Sequence, residues 1–206
     1  MAERYDVLLC DPPWQHASTR GPGSRRAAER QYRTMSTDEI CAMDTALAQA
    51  TEPIARLFLW VTDSMLIDGL QVMQCWGFAY TKVAFVWVKA AKKTLPNGFS
   101  THGGNAWPMV MLRQDEGWVR RLVFGAGHTT RNGAEFCLLG SRGRMDVVDH
   151  SQRQVILAPV REHSRKPDEA YERIEAMYPG RRYLELFARH RRLGWAAHGD
   201  ELKEPT

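Results

Sequence analysis

The chain has 206 residues, 44% of them apolar and 25% charged, which suffices for one substantial core; no Ser/Gly/Pro-rich linker divides it, so a single domain over residues 1–206 is expected. No segment approaches the roughly eighteen consecutive apolar residues of a membrane span, and MAERYDVLLC is too short and too acidic for a signal peptide, which excludes the membrane class and predicts a cytoplasmic protein. The net charge of +4 comes mainly from arginine, whose planar fork suits phosphate, so a polyanionic partner is in keeping with the composition.

YDVLLC (5–10) is apolar and ends in a turn signal, the pattern of a strand buried in a parallel sheet. Residues 15–34 hold Gly21, Pro22 and Gly23 among Arg20, Arg25, Arg26, Arg30 and Arg33, show no apolar period, and predict a long mobile connection. Ser36 stands three residues before Glu39 as a capping box, and Ile40, Met43 and Leu47 recur on one face of a helix expected to end near Ala50. RLFLWV (56–61) is a second buried strand. Residues 63–76 predict a helix with Met65, Leu66, Leu70 and Met73 toward the core, closed by Gly77.

KVAFVWVK (82–89) is a third strand, after which residues 90–132 lose regularity, with WVRRLVF (118–124) as an extra strand or hairpin arm. AEFCLLG (134–140), QVILAP (154–159), YLELF (183–187) and GWAAHG (194–199) are further strands, and residues 167–178 a helix. Strands alternating with helices imply an α/β fold, a mostly parallel sheet covered on both faces, whose ligands bind at the carboxyl ends of the strands.

Cys10, Cys41, Cys75 and Cys137 lie in apolar or periodic segments without CxxC spacing and read as reduced thiols. The histidines at 16, 102, 128, 150, 163, 190 and 198 form no HExxH, so no metal is assigned.

DPPW (11–14) follows the first strand at such a carboxyl end. Prolines have no N–H and a fixed φ, so Pro12 and Pro13 stop the strand and leave rigid carbonyl acceptors beside the Asp11 carboxylate. That set suits a ligand with several N–H bonds, such as an exocyclic amine, and Trp14 offers a face on which a planar base can stack. Accepting both amine hydrogens favours a tetrahedral nitrogen as attack begins. The alternative is structural: Asp-Pro-Pro opens ordinary turns, and Trp14 is then a core residue. The arginines at 20, 25 and 26 are either phosphate ligands beside a flipped base or a solvated loop.

DPPW is followed by YRTMSTDEI, LFLWVT, WGFAY, VWVK, HSRKPDEAYERIEAMYPG, LELFAR and GW. In this order the motifs resemble those of the MT-A70 family of adenine N6-methyltransferases, over about residues 5–201. The resemblance implies a Rossmann-like methyltransferase fold, S-adenosyl-L-methionine as cofactor, and methyl transfer to N6 of adenine in nucleic acid. DNA is the expected polymer; RNA, or a catalytically silent nucleic-acid-binding partner subunit, is the alternative. Monomer and dimer both stay open.

By the same resemblance, Asp11 touches the target amine and the methionine end of the cofactor, while Pro12, Pro13 and Trp14 complete the catalytic motif. Lys166 meets the cofactor carboxylate, Arg189 lies near its ribose, and Glu185 and Phe187 occupy the same strand end. Asp200 and Glu201 stand where the family often shows Asn-Glu or Asn-Gln; Asp200 lacks the two amide donors of Asn and adds a charge. Arg131 and Asn132 resemble a second loop beside the substrate pocket.

Overall fold

In the computed structural model, residues 3–15, 34–90, 122–123, 129–161, 165–200 and 202 are described. Strand β1 (Tyr5–Cys10) is an interior strand of the sheet. Its side chains alternate between two cores: Leu8 and Cys10 enter one, Val7 and Leu9 the other. This two-sided burial is why the segment is apolar at successive positions.

β1 pairs in parallel with β2 (Thr51–Val61) on one side and β6 (Tyr183–Leu186) on the other, and β7 (Trp195–His198) adds in parallel beyond β6. Beyond β2 lie β4 (Ala134–Arg142), then β3 (Ala79–Ala90), then β5 (Val155–Pro159). The sheet order is β5-β3-β4-β2-β1-β6-β7. β4 runs antiparallel to both neighbours, and the other strands share one direction. The mostly parallel sheet expected from the sequence is thus present, with one strand reversed. An apolar run buried on both faces looks the same in either direction, so the reversal left no mark in AEFCLLG.

The helix expected from Ser36 to Ala50 is two: α1 (Thr37–Cys41) and α2 (Asp44–Ala50), separated by a turn at Ala42 and Met43. The capping box is formed, with Ser36 Oγ accepting from the Glu39 N–H and the Glu39 carboxylate accepting from the Ser36 N–H. Met43 N–H turns back to the Ile40 carbonyl, three residues away, and this tightening breaks the helix while keeping Ile40 and Leu47 buried together.

A 3-10 turn, Asp63–Met65, leads into α3 (Leu66–Cys75). Here the expected face needs correction: Met65 and Met73 are buried, but Leu66 and Leu70 are 39% and 37% exposed. The inward stripe is instead Met65, Gly69, Val72, Met73 and Trp76. The reason is Gly69: a Cβ there would lie 2.5 Å from Val61 Cγ1, so the closest approach of helix to sheet runs along the one position without a side chain. Gly77, at φ 72°, closes the segment as expected.

α1, α2 and α3 contribute to the core containing Leu8 and Cys10, and α4 (Asp168–Met177) to the core containing Val7 and Leu9, so both sheet faces carry helices. Of the expected arm at 118–124, Leu122 bridges Ala90 and Val123 N–H donates to the Lys89 carbonyl; its other residues lie outside the described ones. The arginine-rich connection, with Arg20, Arg25 and Arg26, also lies outside them. Its two ends meet: Met35 N–H donates to the Pro13 carbonyl and Gln15 N–H to the Met35 carbonyl. At the opposite sheet edge the buried Arg56 guanidinium donates to the carbonyls of Gly143 and Met145, fixing the turn that leaves β4. Among the described residues no helix is long and apolar enough to cross a membrane.

Candidate active site

β1 delivers Asp11 to the carboxyl edge of the sheet, and the two prolines stop the strand there. The Pro12 carbonyl accepts the Trp14 backbone N–H at 2.8 Å, and the Pro13 carbonyl accepts from Met35 at 2.8 Å. Each carbonyl retains a second acceptor position. Trp14 itself is only 6% exposed, belongs to the core with Leu8 and Cys10, and donates its indole N–H to the Trp60 carbonyl at 3.0 Å. In this arrangement Trp14 packs as the core residue that the structural alternative describes.

Lys166, carried by the turn before α4, reaches across to donate to Oδ2 of Asp11 at 2.7 Å. The turn is pinned by Arg161, whose guanidinium donates to both the Lys166 carbonyl and the Asp168 carboxylate, while Pro167 opens the helix. Lys166 Nζ also lies 3.2 Å from Oε2 of Glu135 and over the Trp60 ring, 5.7 Å from its centre. Oε1 of Glu135 accepts from Lys89, whose ammonium lies over Trp87. Lys166 and Glu135 are buried.

Burial opposes the charged form of both groups, and their partners win. Desolvation pulls the Lys166 ammonium down, but attraction to Asp11 and Glu135 raises its pKa above the usual value. Desolvation pushes the Glu135 carboxyl up, but Lys166 and Lys89 bring it below the usual value. Removing one member of such a buried set costs about 3–5 kcal/mol, because the other charge is left without compensation.

Asp11 and Lys166 open onto a cleft of about 220 Å³, lined also by Trp60, Tyr171, Glu185, Phe187 and Arg189. Glu185, on β6 beside β1, accepts from the Tyr171 hydroxyl at 2.7 Å. Its carboxyl is pushed up to about 7, chiefly by burial, with the Asp11 charge adding to the effect and the Tyr171 hydrogen bond opposing it. Phe187 has φ 58°, a left-handed turn immediately after β6. The turn is held by Ala188 N–H donating to the His198 carbonyl, and a Cβ on Gly199 would meet the Ala188 carbonyl oxygen at 2.4 Å. Only glycine fits so close to that backbone, and it fixes the direction in which Asp200 leaves β7.

The residues named from DPPW, SRKPDE and LELFAR therefore meet around one cleft: Asp11, Lys166, Glu185, Phe187 and Arg189. Asp200 is exposed, and Glu201 lies outside the described residues. Arg131 and Asn132 are exposed in the segment leading to β4, where Asn132 donates its side-chain amide to Asp63 at 3.0 Å. Lys89, Glu135, Trp60 and Tyr171 were not singled out from the sequence. The available signal was a charge at the end of an apolar run, as in KVAFVWVK and AEFCLLG, but a lone charge does not name its partner. Among the described residues no group of three or more His, Cys, Asp or Glu is placed to hold a metal ion.

The family model of MT-A70 matches residues 5–108 and 104–201. The chain belongs to the MT-A70 family. MT-A70 methyltransferases use S-adenosyl-L-methionine as methyl donor, and the sheet described above is that of a Rossmann-like methyltransferase fold. The chain is similar to an Arabidopsis thaliana N(6)-adenosine-methyltransferase MT-A70-like protein, 29% identical over 96% of this chain and 24% of the relative. It is 27% identical to the human N(6)-adenosine-methyltransferase catalytic subunit METTL3 over 97% of this chain and 28% of that protein. To the Mycoplasma Type II methyltransferase M.MunI it is 25% identical, over 98% of this chain and 79% of that protein. The chain thus spans about a quarter of the plant and human relatives and most of M.MunI.

Proposed function

We propose that this MT-A70 protein transfers a methyl group from S-adenosyl-L-methionine to N6 of adenine in DNA. The observation that carries the reading is the convergence of Asp11, at the end of β1, with Glu185 and Phe187 of the adjacent β6 segment around one cleft. M.MunI, most of whose length the chain spans, supports DNA over RNA.

The cleft suits the cofactor chemically. The carboxyl groups of Asp11 and Glu185 are acceptors for ammonium and hydroxyl groups, Phe187 is an apolar contact, and Trp60 Nε1 is a buried donor without a hydrogen-bond partner among the described residues. The cofactor supplies a methyl group activated on a positively charged sulfur. Asp11 would accept one amine hydrogen and the second acceptor position of the Pro12 carbonyl the other, which would free the nitrogen lone pair from the ring and hold the amine ready for methylation. Lys166 holds Oδ2 of Asp11 during this alignment. Glu185 and Arg189 line the cleft and are assigned to the cofactor; Arg131 and Asn132, and from the sequence Arg20, Arg25 and Arg26, are assigned to contacts with nucleic acid. The protein works in the cytoplasm as one domain, monomeric or dimeric.

The test is methylation of adenine-containing DNA and RNA oligonucleotides with isotopically labelled cofactor. Label at adenine N6 in DNA is expected, and Asp11→Ala should lower kcat by about a hundredfold or more with the fold retained. Label confined to RNA would move the substrate to RNA. Calorimetry showing no cofactor binding to the folded protein would favour a silent partner subunit.

A further inference from the structure

Lys166 lines the cleft, and its Nζ is 2.7 Å from Oδ2 of Asp11, 3.2 Å from Oε2 of Glu135 and 5.7 Å from the centre of the Trp60 ring. An ammonium has three N–H bonds, and the two carboxylates take two of them. Glu135 gives its other oxygen to Lys89. Two positive and two negative groups, alternating in sign, therefore run from β3 through β4 and the turn before α4 to β1. They come from four separate parts of the chain, so their meeting is a product of the sheet order and of the reversal of β4.

A lysine has four rotatable side-chain bonds, and one contact to Asp11 leaves it free to swing. A second carboxylate, itself anchored by another lysine, removes that freedom. We propose that Glu135, anchored by Lys89, is a positioning residue for methyl transfer: it holds the Lys166 ammonium on Oδ2 of Asp11, and this orients Oδ1 toward the reacting amine. The proposal rests on the methyltransferase reading above and gives Lys166, expected at the cofactor carboxylate, a second task at Asp11. Glu135 acts through Lys166, at one remove from the substrate.

The experiment uses the full chain with Glu135→Gln, Lys89→Met and the double substitution. It measures kcat and KM for an adenine oligonucleotide, the cofactor Kd, and labelling of Lys166 by an amine-modifying reagent read by mass spectrometry. For Glu135→Gln, kcat is expected to fall about ten- to a hundredfold while KM and Kd stay within about threefold, and labelling of Lys166 to rise. The double variant should lose no more than Glu135→Gln alone, since both sites act through one link. Unchanged kcat, a loss confined to KM, or unchanged labelling would overturn the positioning role. If Glu135→Gln does not fold, Lys89→Met tests the same anchor, with a several-fold fall in kcat and raised labelling expected and unchanged values rejecting it. Absence of methylation by the parent protein would reject the functional reading, whereas unchanged Lys166 labelling rejects the positioning role whether or not methylation is seen.

Discussion

Glu185 has its carboxyl raised from 4.5 to about 7, chiefly by burial; Asp11 adds to the rise, while Tyr171, Arg165 and Arg192 oppose it. Between those values the folded protein holds a proton that the unfolded chain releases. The resulting stabilisation is full below about pH 4.5 and is lost as pH rises through about 7. Chemical denaturation should show unfolding free energy declining from pH 5 to 7.5, with at most about 1.4 kcal/mol per pH unit from this group. Glu185→Gln should flatten that decline. Glu135 works in the other direction: its lowered carboxyl contributes stability above its ordinary range that disappears on acidification. A Glu185→Gln profile as steep as the parent's would remove Glu185 as the source. The motif residues were legible in the sequence because each stands in a recognisable local pattern. The Lys166–Glu135–Lys89 chain was not, because Glu135 and Lys89 acquire their meaning only from partners distant in sequence.

At the level of elements, α3 shows what periodicity leaves undecided. Met65, Gly69, Val72, Met73 and Trp76 fit a helical face as well as Leu66, Leu70 and Met73 do, and composition favours the leucines. Steric fit decides otherwise, since Gly69 is the position that the sheet can approach. Gly69→Ala should therefore destabilise the protein by about 1–3 kcal/mol through the clash with Val61, although alanine is the better helix former by about 1 kcal/mol. A lowered denaturation midpoint with an unchanged slope would bear this out; a raised midpoint would show that Val61 yields easily. The capping box at Ser36 and the glycine stop at Gly77 were legible because their chemistry is complete within a few residues. The break at Ala42 and Met43 was not, since no proline or glycine marks it.

The whole molecule is a sheet buried on both faces, with α1, α2 and α3 on one side and α4 on the other. Sequence pattern located the strands in chain order, but their order across the sheet depends on pairings between distant segments. Nothing in one strand's composition says which strand lies beside it. Because the cleft draws on β1, β2, β6 and the N-terminal part of α4, a ligand there ties together elements from both ends of the chain. S-adenosyl-L-methionine at about a hundred times its Kd should stabilise the fold by about 2.7 kcal/mol and raise Tm by roughly 5–10 °C. Thermal melts with and without cofactor measure this; an unmoved Tm at that saturation would argue against binding to the folded state.

The reversal of β4 separates two kinds of sequence tolerance. Running against its neighbours, β4 is preceded by residues at the reactive edge and followed by a turn at the opposite edge, where Arg56 grips Gly143 and Met145. If Arg131 and Asn132 meet the substrate as proposed, variation just ahead of Ala134 should retune what the protein recognises, whereas variation just past Arg142 should alter how firmly it is built. A library aimed at new specificity belongs on the first side of this strand, and one aimed at robustness on the second.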